Sequence, residues 1–281
     1  MIDNVLISQA MEAASEVAGS IGVKQVEQVL LHHSQHITVL WPAVDTVARI
    51  VVSTDDVTER LSRELAVARY LTEKGAPVGP PSAVLPAGPH FRDKFGMTLW
   101  QFVPHTPADE DNPAHVTAAA AALCRIHRML ADYPGRLPSF GTKIDECRLL
   151  LGRRSSLPSL DDADREFLLT VYGRITRAMD SLPIELVPIH GDAGLHNVLI
   201  AAGGARYIDF EDASLGPREW DIGWFSESDL ALFEPIHRGR LAVLSDLRSL
   251  CVSVWCFARY DLPEKREAAD YHLAYLRQRF G

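Results

Sequence analysis

Three polar side chains with the chemistry of magnesium ligands occur within one short stretch of the chain. Asp192 and Asp209 supply carboxylate oxygens, and Asn197 supplies an amide oxygen. Hard oxygen donors of this kind are the ligands that Mg²⁺ prefers in proteins. These residue types therefore indicate a metal site, provided that the fold brings the three side chains to one place.

A short β-hairpin is predicted to bring two of these side chains together. Residues 197–200 and 206–208 are apolar runs typical of strands, and Gly203-Gly204 between them suits the positive φ values of a tight turn. The hairpin would place Asn197 at the start of one strand and Asp209 at the end of the other. Both side chains would then lie at the same end of the ribbon, next to the loop that carries Asp192.

The elements around this hairpin are predicted to form two lobes of an α+β protein. The N-terminal lobe, residues 1–103, is expected to be β-rich, with helices at 4–18 and 57–74 and strands at 26–31, 36–41, 46–52 and 97–103. The C-terminal lobe, residues 104–281, is expected to be mainly helical, with helices at 114–130, 161–181, 230–258 and 264–280.

The composition of the chain excludes several classes of protein. Its 281 residues carry a net charge of −9, which argues against a nucleic acid partner because phosphate binding needs a basic surface. The four cysteines form no C-x-x-C pair and are expected to be reduced thiols. Neither a signal peptide nor a membrane-spanning segment is evident. We therefore expect a cytoplasmic protein that does not bind a membrane.

Two short motifs around the metal-ligand candidates resemble those of kinases. His190-Gly191-Asp192, with Asn197 following, and Asp209-Phe210-Glu211 correspond to H-R-D-x-x-x-x-N and D-F-G of protein kinases. With Gly after His, and without Gly after Asp-Phe, the pattern resembles the aminoglycoside phosphotransferase family and its choline-kinase-like and homoserine-kinase-like relatives. The resemblance implies a bilobal protein-kinase-like fold and transfer of the γ-phosphate of ATP to a hydroxyl of a small molecule.

The resemblance also implies a role for each residue of these motifs. Asp192 would orient the acceptor hydroxyl, while Asn197 and Asp209 would hold Mg²⁺ on the phosphates of ATP. His190 would brace the catalytic loop, with a role as general base as the alternative. Asp221 would tie down the same loop through backbone amides, with simple helix capping as the alternative.

Nucleotide-binding residues are expected in the N-terminal lobe. Arg49 stands near the position of the lysine of V-A-I-K, and Glu64 on the next helix is its expected partner; an ordinary edge-strand Arg and a solvated helix Glu are the alternative. There is no G-x-G-x-x-G. Ser34, in the turn at residues 33–36, could reach a phosphate instead, although a plain hairpin turn is as compatible with the sequence. Gln101 and Val103 lie where the family's hinge would bind adenine through backbone groups.

The acceptor is expected to be a small molecule, and the net charge of −9 is compatible with a cationic one. The segment from Asp209 to Asp221 is too short for the activation segment with which protein kinases bind protein substrates. Acidic and aromatic side chains that follow Asp221 could recognise an amine; they are Trp224, Glu227, Asp229, Glu234, Trp255, Tyr260, Asp261 and Asp270. The carboxylates favour an aminoglycoside or another amine-bearing antibiotic, and hence a role in antibiotic resistance. The Trp and Tyr rings could instead stack on a sugar or enclose a quaternary amine. A choline, homoserine or amino-sugar kinase remains an alternative.

Two other functional classes remain open. The missing glycine-rich loop is compatible with a nucleotide-binding pseudokinase. A metal-dependent hydrolase could use His190, Asp192, His196 and Asp209 as a mixed set of ligands. The P-loop signature and H-E-x-x-H are both absent from the sequence, so neither a P-loop kinase nor a zincin-type protease is supported.

Overall fold

The computed structural model describes residues 4–24, 27–33, 36–53 and 56–281. The chain divides into two compact units, each built from two segments. The first unit comprises Met1–Leu137 and Asp192–Ala213, and the second comprises Pro138–Gly191 and Ser214–Gly281. The first unit therefore includes the hairpin around residue 203 together with the N-terminal part of the chain. The predicted lobe boundary between residues 103 and 104 stays a prediction.

The described residues contain helices and strands in a mixed order. The helices are α1 (Asn4–Ser20), α2 (Val57–Glu73), α3 (Pro113–Leu130), α4 (Gly141–Gly152), α5 (Asp162–Asp180), α6 (Glu219–Ile222), α7 (Glu227–Leu230), α8 (Arg238–Phe257) and α9 (Pro263–Phe280). The strands are β1 (Val29–His33), β2 (Ile37–Trp41), β3 (Thr46–Val52), β4 (His90–Arg92), β5 (Phe95–Gln101), β6 (His105–Pro107), β7 (Val187–Ile189), β8 (Val198–Ala201), β9 (Gly204–Tyr207) and β10 (Ser214–Gly216).

An antiparallel sheet of five strands forms the N-terminal part of the first unit, in the order β1-β2-β3-β5-β4. The apolar alternation of β2 puts every second residue into the core. Helix α1 packs against this sheet through small side chains, among them Ala10 and Ala14, which allow the helix to approach closely. Strand β1 was predicted at 26–31 and lies at Val29–His33, and β5 was predicted at 97–103 and lies at Phe95–Gln101.

Helix α2 carries the predicted apolar stripe, and its core-facing residues include Leu61, Leu65 and Leu71. Glu64 belongs to the same buried face, although it is an acid, and it is only 1% exposed. A carboxylate so deeply buried needs a charged partner, because an unpaired buried charge is costly. The sequence pattern therefore marks Glu64 as unusual within an otherwise ordinary amphipathic helix.

The predicted hairpin is present in the first unit as strands β8 and β9. Val198 pairs with Tyr207 and Ala201 with Gly204, so the turn consists of Ala202 and Gly203. Gly204 has a φ of 104°, a value that favours glycine. Strand β6 pairs with the other edge of β8.

The second unit is mainly helical and has one main apolar core, with a short β7-β10 pair beside it. One helix of this unit was missed, and another was predicted with a wrong start. Helix α4 was not predicted at all, because its buried residues Ile144, Cys147 and Leu151 form only a narrow stripe. The helix predicted at 230–258 begins at Arg238, because Pro235 cannot continue a helix and His237 caps α8 instead.

The secondary structure confirms the α+β class, with a β-rich N-terminal region and a mainly helical C-terminal region. Among the described residues, no helix combines the length and apolar character that crossing a bilayer requires.

Candidate functional site

The hairpin positions Asn197 and Asp209 at one end of the ribbon, as predicted. Asn197 immediately precedes β8, and its carbonyl oxygen accepts a hydrogen bond from the Ile208 N–H at 3.0 Å. Asp209 follows Ile208 directly, so one backbone hydrogen bond keeps the two candidate ligands in register. This part of the site is therefore a direct consequence of strand pairing.

Asp192 is held close to Asn197 by side-chain hydrogen bonds. The Asn197 Nδ2 donates to the Asp192 main-chain oxygen at 2.9 Å and to its Oδ2 at 3.1 Å. His196 Nε2 lies 3.0 Å from the same Oδ2. The Asp192 side chain nevertheless remains 38% exposed, whereas Asn197 is 5% exposed. The carboxylate is thus oriented by its neighbours and still accessible to a ligand.

Arg49 joins two carboxylates from different parts of the first unit. It lies on β3, where its Nη1 donates to Glu64 Oε1 at 2.6 Å and its Nη2 lies 2.8 Å from Asp209 Oδ1. The predicted pairing of Arg49 with Glu64 is therefore present. Burial alone would lower the pKa of Arg49, but the three carboxylates of Glu64, Asp209 and Glu211 raise it above its ordinary value. The guanidinium is charged at any relevant pH.

Burial has the opposite consequence for Glu64. It raises the pKa of Glu64 to about 8, against the lowering effect of the Arg49 charge. The negative charges of Asp209 and Glu211 act in the same direction as burial and also raise the pKa of Glu64.

Glu211 is a central member of this cluster to which the sequence analysis gave no role. Its Oε2 accepts a hydrogen bond from Arg60 Nη2 at 2.8 Å and lies 3.4 Å from His36 Nε2 and 3.5 Å from Arg49 Nη2. Its main-chain oxygen accepts from Arg63 Nη2 at 2.9 Å. Burial would raise the pKa of Glu211, but the His36 hydrogen bond and the charges of Arg49 and Arg60 hold it well below its ordinary value.

One signal could have identified Glu211 before the structure was known. It occupies the position where the protein-kinase motif has glycine, so a charged side chain there needs a compensating partner. The sequence could not identify that partner, because Arg60 is separated from Glu211 by 151 positions.

A triad of possible metal ligands exists in the described residues, but an arginine already lies among them. One ligand atom each from His36, Asp209 and Glu211 lies within 4.8 Å of the others. Arg49 Nη2 is 3.0 Å from His36 Nε2 and 2.8 Å from Asp209 Oδ1, so its positive charge already offsets one of the two carboxylate charges of this triad. In the described part of the chain, no such group includes His196, as the hydrolase alternative would require.

In the second unit, Asp221 binds the backbone just before Asp192. Its Oδ2 accepts from the His190 N–H at 2.8 Å and its Oδ1 from the Gly191 N–H at 2.9 Å. Trp220 Nε1 donates to the Gly191 carbonyl at 2.8 Å. Asp221 and His190 are both fully buried, and Gly191 has a φ of 86°. Both peptide groups around Gly191 are therefore anchored to α6.

The predicted nucleotide contacts outside this cluster have mixed outcomes. Ser34 lies outside the described residues. The Gln101 N–H donates to the Pro80 carbonyl at 3.0 Å and is therefore used within the protein. The Val103 carbonyl lies 2.7 Å from His105 Nδ1, whereas the described residues offer no acceptor for the Val103 N–H.

Several of the predicted acceptor residues in the second unit pair with cations of the protein itself. Arg238 binds both Glu227 and Glu234, at 2.8 Å and 2.6 Å. The amine of Lys143 lies 5.4 Å from the Trp255 ring centroid, and the Arg266 guanidinium lies 5.2 Å from that of Tyr260. A cationic acceptor would have to displace these partners or bind elsewhere.

Comparisons with known proteins agree with this architecture. A choline/ethanolamine kinase family protein from Mesorhizobium loti is similar at 16% identity and a TM-score of 0.70, over 97% of this chain and 94% of that chain. The GDP and kanamycin complex of APH(2")-IIia gives 15% identity and a TM-score of 0.72, over 95% and 98%. Amicoumacin kinase in complex with AMP-PNP, Ca²⁺ and Ami is similar at 12% identity and a TM-score of 0.73, over 99% of this chain and 97% of that chain.

At these identities the neighbours establish the fold, and they confirm the predicted kinase-like architecture. No curated protein matches the sequence. The phosphotransferase enzyme family (APH) does match it, over residues 38–272, which is most of the chain. The predicted activity of a small-molecule phosphotransferase is supported by this match together with the kinase neighbours. The chain therefore belongs to the phosphotransferase enzyme family.

Proposed function

We propose that the protein transfers the γ-phosphate of ATP to a hydroxyl of an amine-bearing small molecule, with Asp192 as the residue that orients the hydroxyl. One observation carries the proposal: an accessible Asp192 carboxylate is oriented by the same Asn197 whose backbone is hydrogen-bonded beside Asp209. Phosphoryl transfer needs alignment and charge more than covalent chemistry, and these side chains can supply both.

The donor set fits a bound divalent cation. Asn197 uses its Nδ2 for Asp192, so its Oδ1 is the atom left for a metal. Asp209 adds carboxylate oxygens from the adjacent position, and hard oxygen ligands of this kind suit Mg²⁺. When bound, Mg²⁺ would neutralise charge on the phosphates of ATP.

Arg49 is the nucleotide-binding residue best supported by its surroundings. Its guanidinium is fixed by Glu64, and its Nη2 is directed to the Asp209 side of the site, where the phosphates would be expected. For the adenine base, the Val103 N–H fits a hinge contact, whereas the N–H of Gln101 is already used. A role for Ser34 and the use of ATP stay predictions.

The class of acceptor rests on charge and on the fold's known ligands. The net charge of −9 favours attraction of a cationic molecule. One structural neighbour is a complex with kanamycin and another is a choline/ethanolamine kinase family protein, and all three of these compounds are amines. We favour an aminoglycoside or other amine antibiotic, and a choline, homoserine or amino-sugar kinase is the second candidate. A role in antibiotic resistance and a cytoplasmic location stay predictions.

The experiment is a turnover assay with an acceptor panel. Purified protein is given Mg²⁺-ATP and, separately, aminoglycosides, other amine antibiotics, choline, homoserine and amino sugars, and ADP release is measured. We expect one acceptor class to stimulate ADP release. In Asp192→Asn that release should fall by about a hundredfold or more, with ADP binding unchanged, because the hydroxyl loses its orienting carboxylate. Asp132→Asn changes an exposed aspartate and serves as the matched control.

Three outcomes would contradict the proposal, each in a different way. Wild-type turnover by Asp192→Asn would remove this residue from the reaction. Nucleotide binding without transfer to any acceptor would favour the pseudokinase. Hydrolysis that needs Zn²⁺ but no nucleotide would favour the hydrolase.

A further inference from the structure

Asp209 has a backbone conformation that its surroundings must maintain. Its φ of 67° and ψ of 65° lie in the left-handed region, which costs a residue with a side chain on the order of 1 kcal/mol. The next three residues, Phe210–Asp212, form a single tight turn, and Phe210 is fully buried. Any group that holds this turn therefore also holds the side chain of Asp209.

Two arginines on α2 hold the turn through Glu211, one at its side chain and the other at its main chain. Arg60 binds the carboxylate of Glu211 at 2.8 Å, and Arg63 binds its main-chain oxygen at 2.9 Å. Arg60, Arg63 and Glu64 are spaced i, i+3 and i+4, so they share one face of α2. The same helix face therefore contacts Arg49 through Glu64 and the turn after Asp209 through its arginines.

The charge of Arg60 also influences which carboxylate Arg49 contacts. Arg49 Nη2 lies 2.8 Å from Asp209 Oδ1 but also 3.5 Å from Glu211 Oε2. Without Arg60, Glu211 would be an under-neutralised carboxylate, 10% exposed, with Arg49 as its nearest guanidinium. Arg49 would then be drawn from Asp209 towards Glu211.

We infer that Arg60 and Arg63, acting on Glu211, are positioning residues for phosphoryl transfer, because they hold Asp209 and its Arg49 partner in the geometry that binds the metal and nucleotide. We call Arg60, Arg63 and Glu211 the arginine clamp. The inference rests on the proposed role of Asp209 in metal binding and is independent of which acceptor is used. Mutation of residues that orient metal ligands in this way typically lowers metal affinity or activity by about 10–100-fold.

The first test measures Mg²⁺-dependent binding of a fluorescent ADP analogue. We expect Arg60→Gln to raise the Mg²⁺ concentration for half-maximal binding on the order of tenfold. Arg60→Lys keeps the charge and should recover part of the loss. Arg69→Gln changes an exposed arginine on the same helix and should have no effect. In the Arg60→Gln/Glu211→Gln double variant, the loss should be smaller than the sum of the two single losses.

The sign of the change separates the clamp from its alternatives. If Arg60 merely competed with the metal for Glu211, then Arg60→Gln would bind Mg²⁺-ADP more tightly. If Arg60 only stabilised the fold, the thermal midpoint would fall while the Mg²⁺ dependence stayed the same. Either result would overturn the inference.

The second test needs no nucleotide and distinguishes failure of the clamp from failure of the proposed function. Hydrogen exchange is followed by mass spectrometry on peptides that cover residues 205–216 of the nucleotide-free protein. Loss of one charge-assisted hydrogen bond should speed exchange in Arg60→Gln by about tenfold, and Arg69→Gln should match the wild type. If the wild type binds no ADP, the proposed function fails; unchanged exchange in Arg60→Gln overturns the clamp in either case.

Discussion

Asp221 offers the sharpest test of how the loop before Asp192 is held. Both of its oxygens are occupied by backbone N–H groups, those of His190 at 2.8 Å and Gly191 at 2.9 Å, and its side chain is fully buried. In Asp221→Asn the shape is nearly unchanged, but one oxygen is replaced by an NH₂ group. That group then faces a backbone N–H, so two donors meet and one of them loses its acceptor.

The magnitude follows from the two hydrogen bonds. A hydrogen bond to a charged group contributes about 1.5–3 kcal/mol, and a buried donor left unsatisfied costs about 1–3 kcal/mol. In Asp221→Asn one hydrogen bond is lost, and the acceptor of the other is no longer charged. We therefore expect the free energy of unfolding to fall by about 2–4 kcal/mol. Gly191 is bonded directly to Asp192, so displacement of this loop should also lower kcat, by about a hundredfold.

The assay compares Asp221→Asn with a matched buried aspartate of the same unit. Asp246 is 5% exposed, accepts from the Tyr275 hydroxyl at 2.8 Å and lies 3.4 Å from Arg279 Nε. Urea unfolding gives the loss of stability in each variant, and ADP release at saturating substrate gives kcat of the folded protein. Asp246→Asn should lose stability without losing kcat, whereas Asp221→Asn should lose both.

Two results would refute this reasoning about Asp221. If Asp221→Asn unfolds at the same urea concentration as the wild type, the two backbone hydrogen bonds do not carry the stabilisation assigned to them. If it loses stability as Asp246→Asn does and keeps its kcat, the contact is structural and does not position Asp192.

Two further predictions concern backbone strain and pH. Gly191→Ala should lower the free energy of unfolding by about 1–2 kcal/mol, because the φ of Gly191 is 86°. Gly203→Ala, where an added Cβ meets open space, should be nearly neutral. Both are measured by urea unfolding, and equal losses in the two variants would contradict the reasoning. Glu64 has a pKa of about 8 when folded and 4.5 as its ordinary value, so the folded state binds a proton that the unfolded state has released. Its contribution to stability is complete below pH 4.5 and is lost as pH rises towards 8, with a limiting slope of about 1.4 kcal/mol per pH unit. Glu64→Gln should remove this decline from unfolding curves recorded between pH 5 and 8; a parallel decline in the variant would show that another group causes it.

Local signals in the sequence were sufficient to predict the hairpin and the end of it at which the two candidate metal ligands lie. The apolar runs and the Gly203-Gly204 pair determine the pairing of β8 with β9, and the pairing then determines where Asn197 and Asp209 meet. Pro235 was an equally local signal that marks the end of a helical segment. The helix predicted at 230–258 ran through this proline and therefore began too early. Predictions of this kind succeed because the responsible interactions connect residues close in sequence.

The cluster around Glu211 depends on contacts that no local pattern contains. The periodicity of α2 predicts which face is buried, but it does not reveal that Arg60 and Arg63 on that helix meet a turn 148–151 positions later. The same pattern makes Glu64 look like an exception within an apolar stripe. Its partner Arg49 was predicted from a resemblance to kinases rather than from periodicity.

The choice of arginine at position 49 follows from the geometry of that cluster. One guanidinium nitrogen of Arg49 binds Glu64 at 2.6 Å while the other lies 2.8 Å from Asp209, so a single side chain on β3 links α2 to the segment that follows β9. Lysine has one ammonium group on a flexible stem and cannot hold two carboxylates in fixed directions in the same way. An arginine at this position therefore orients Asp209 through its second nitrogen, besides supplying positive charge. We therefore expect Arg49→Lys, the substitution that looks most conservative by charge, to keep the positive charge but to weaken the hold on Asp209.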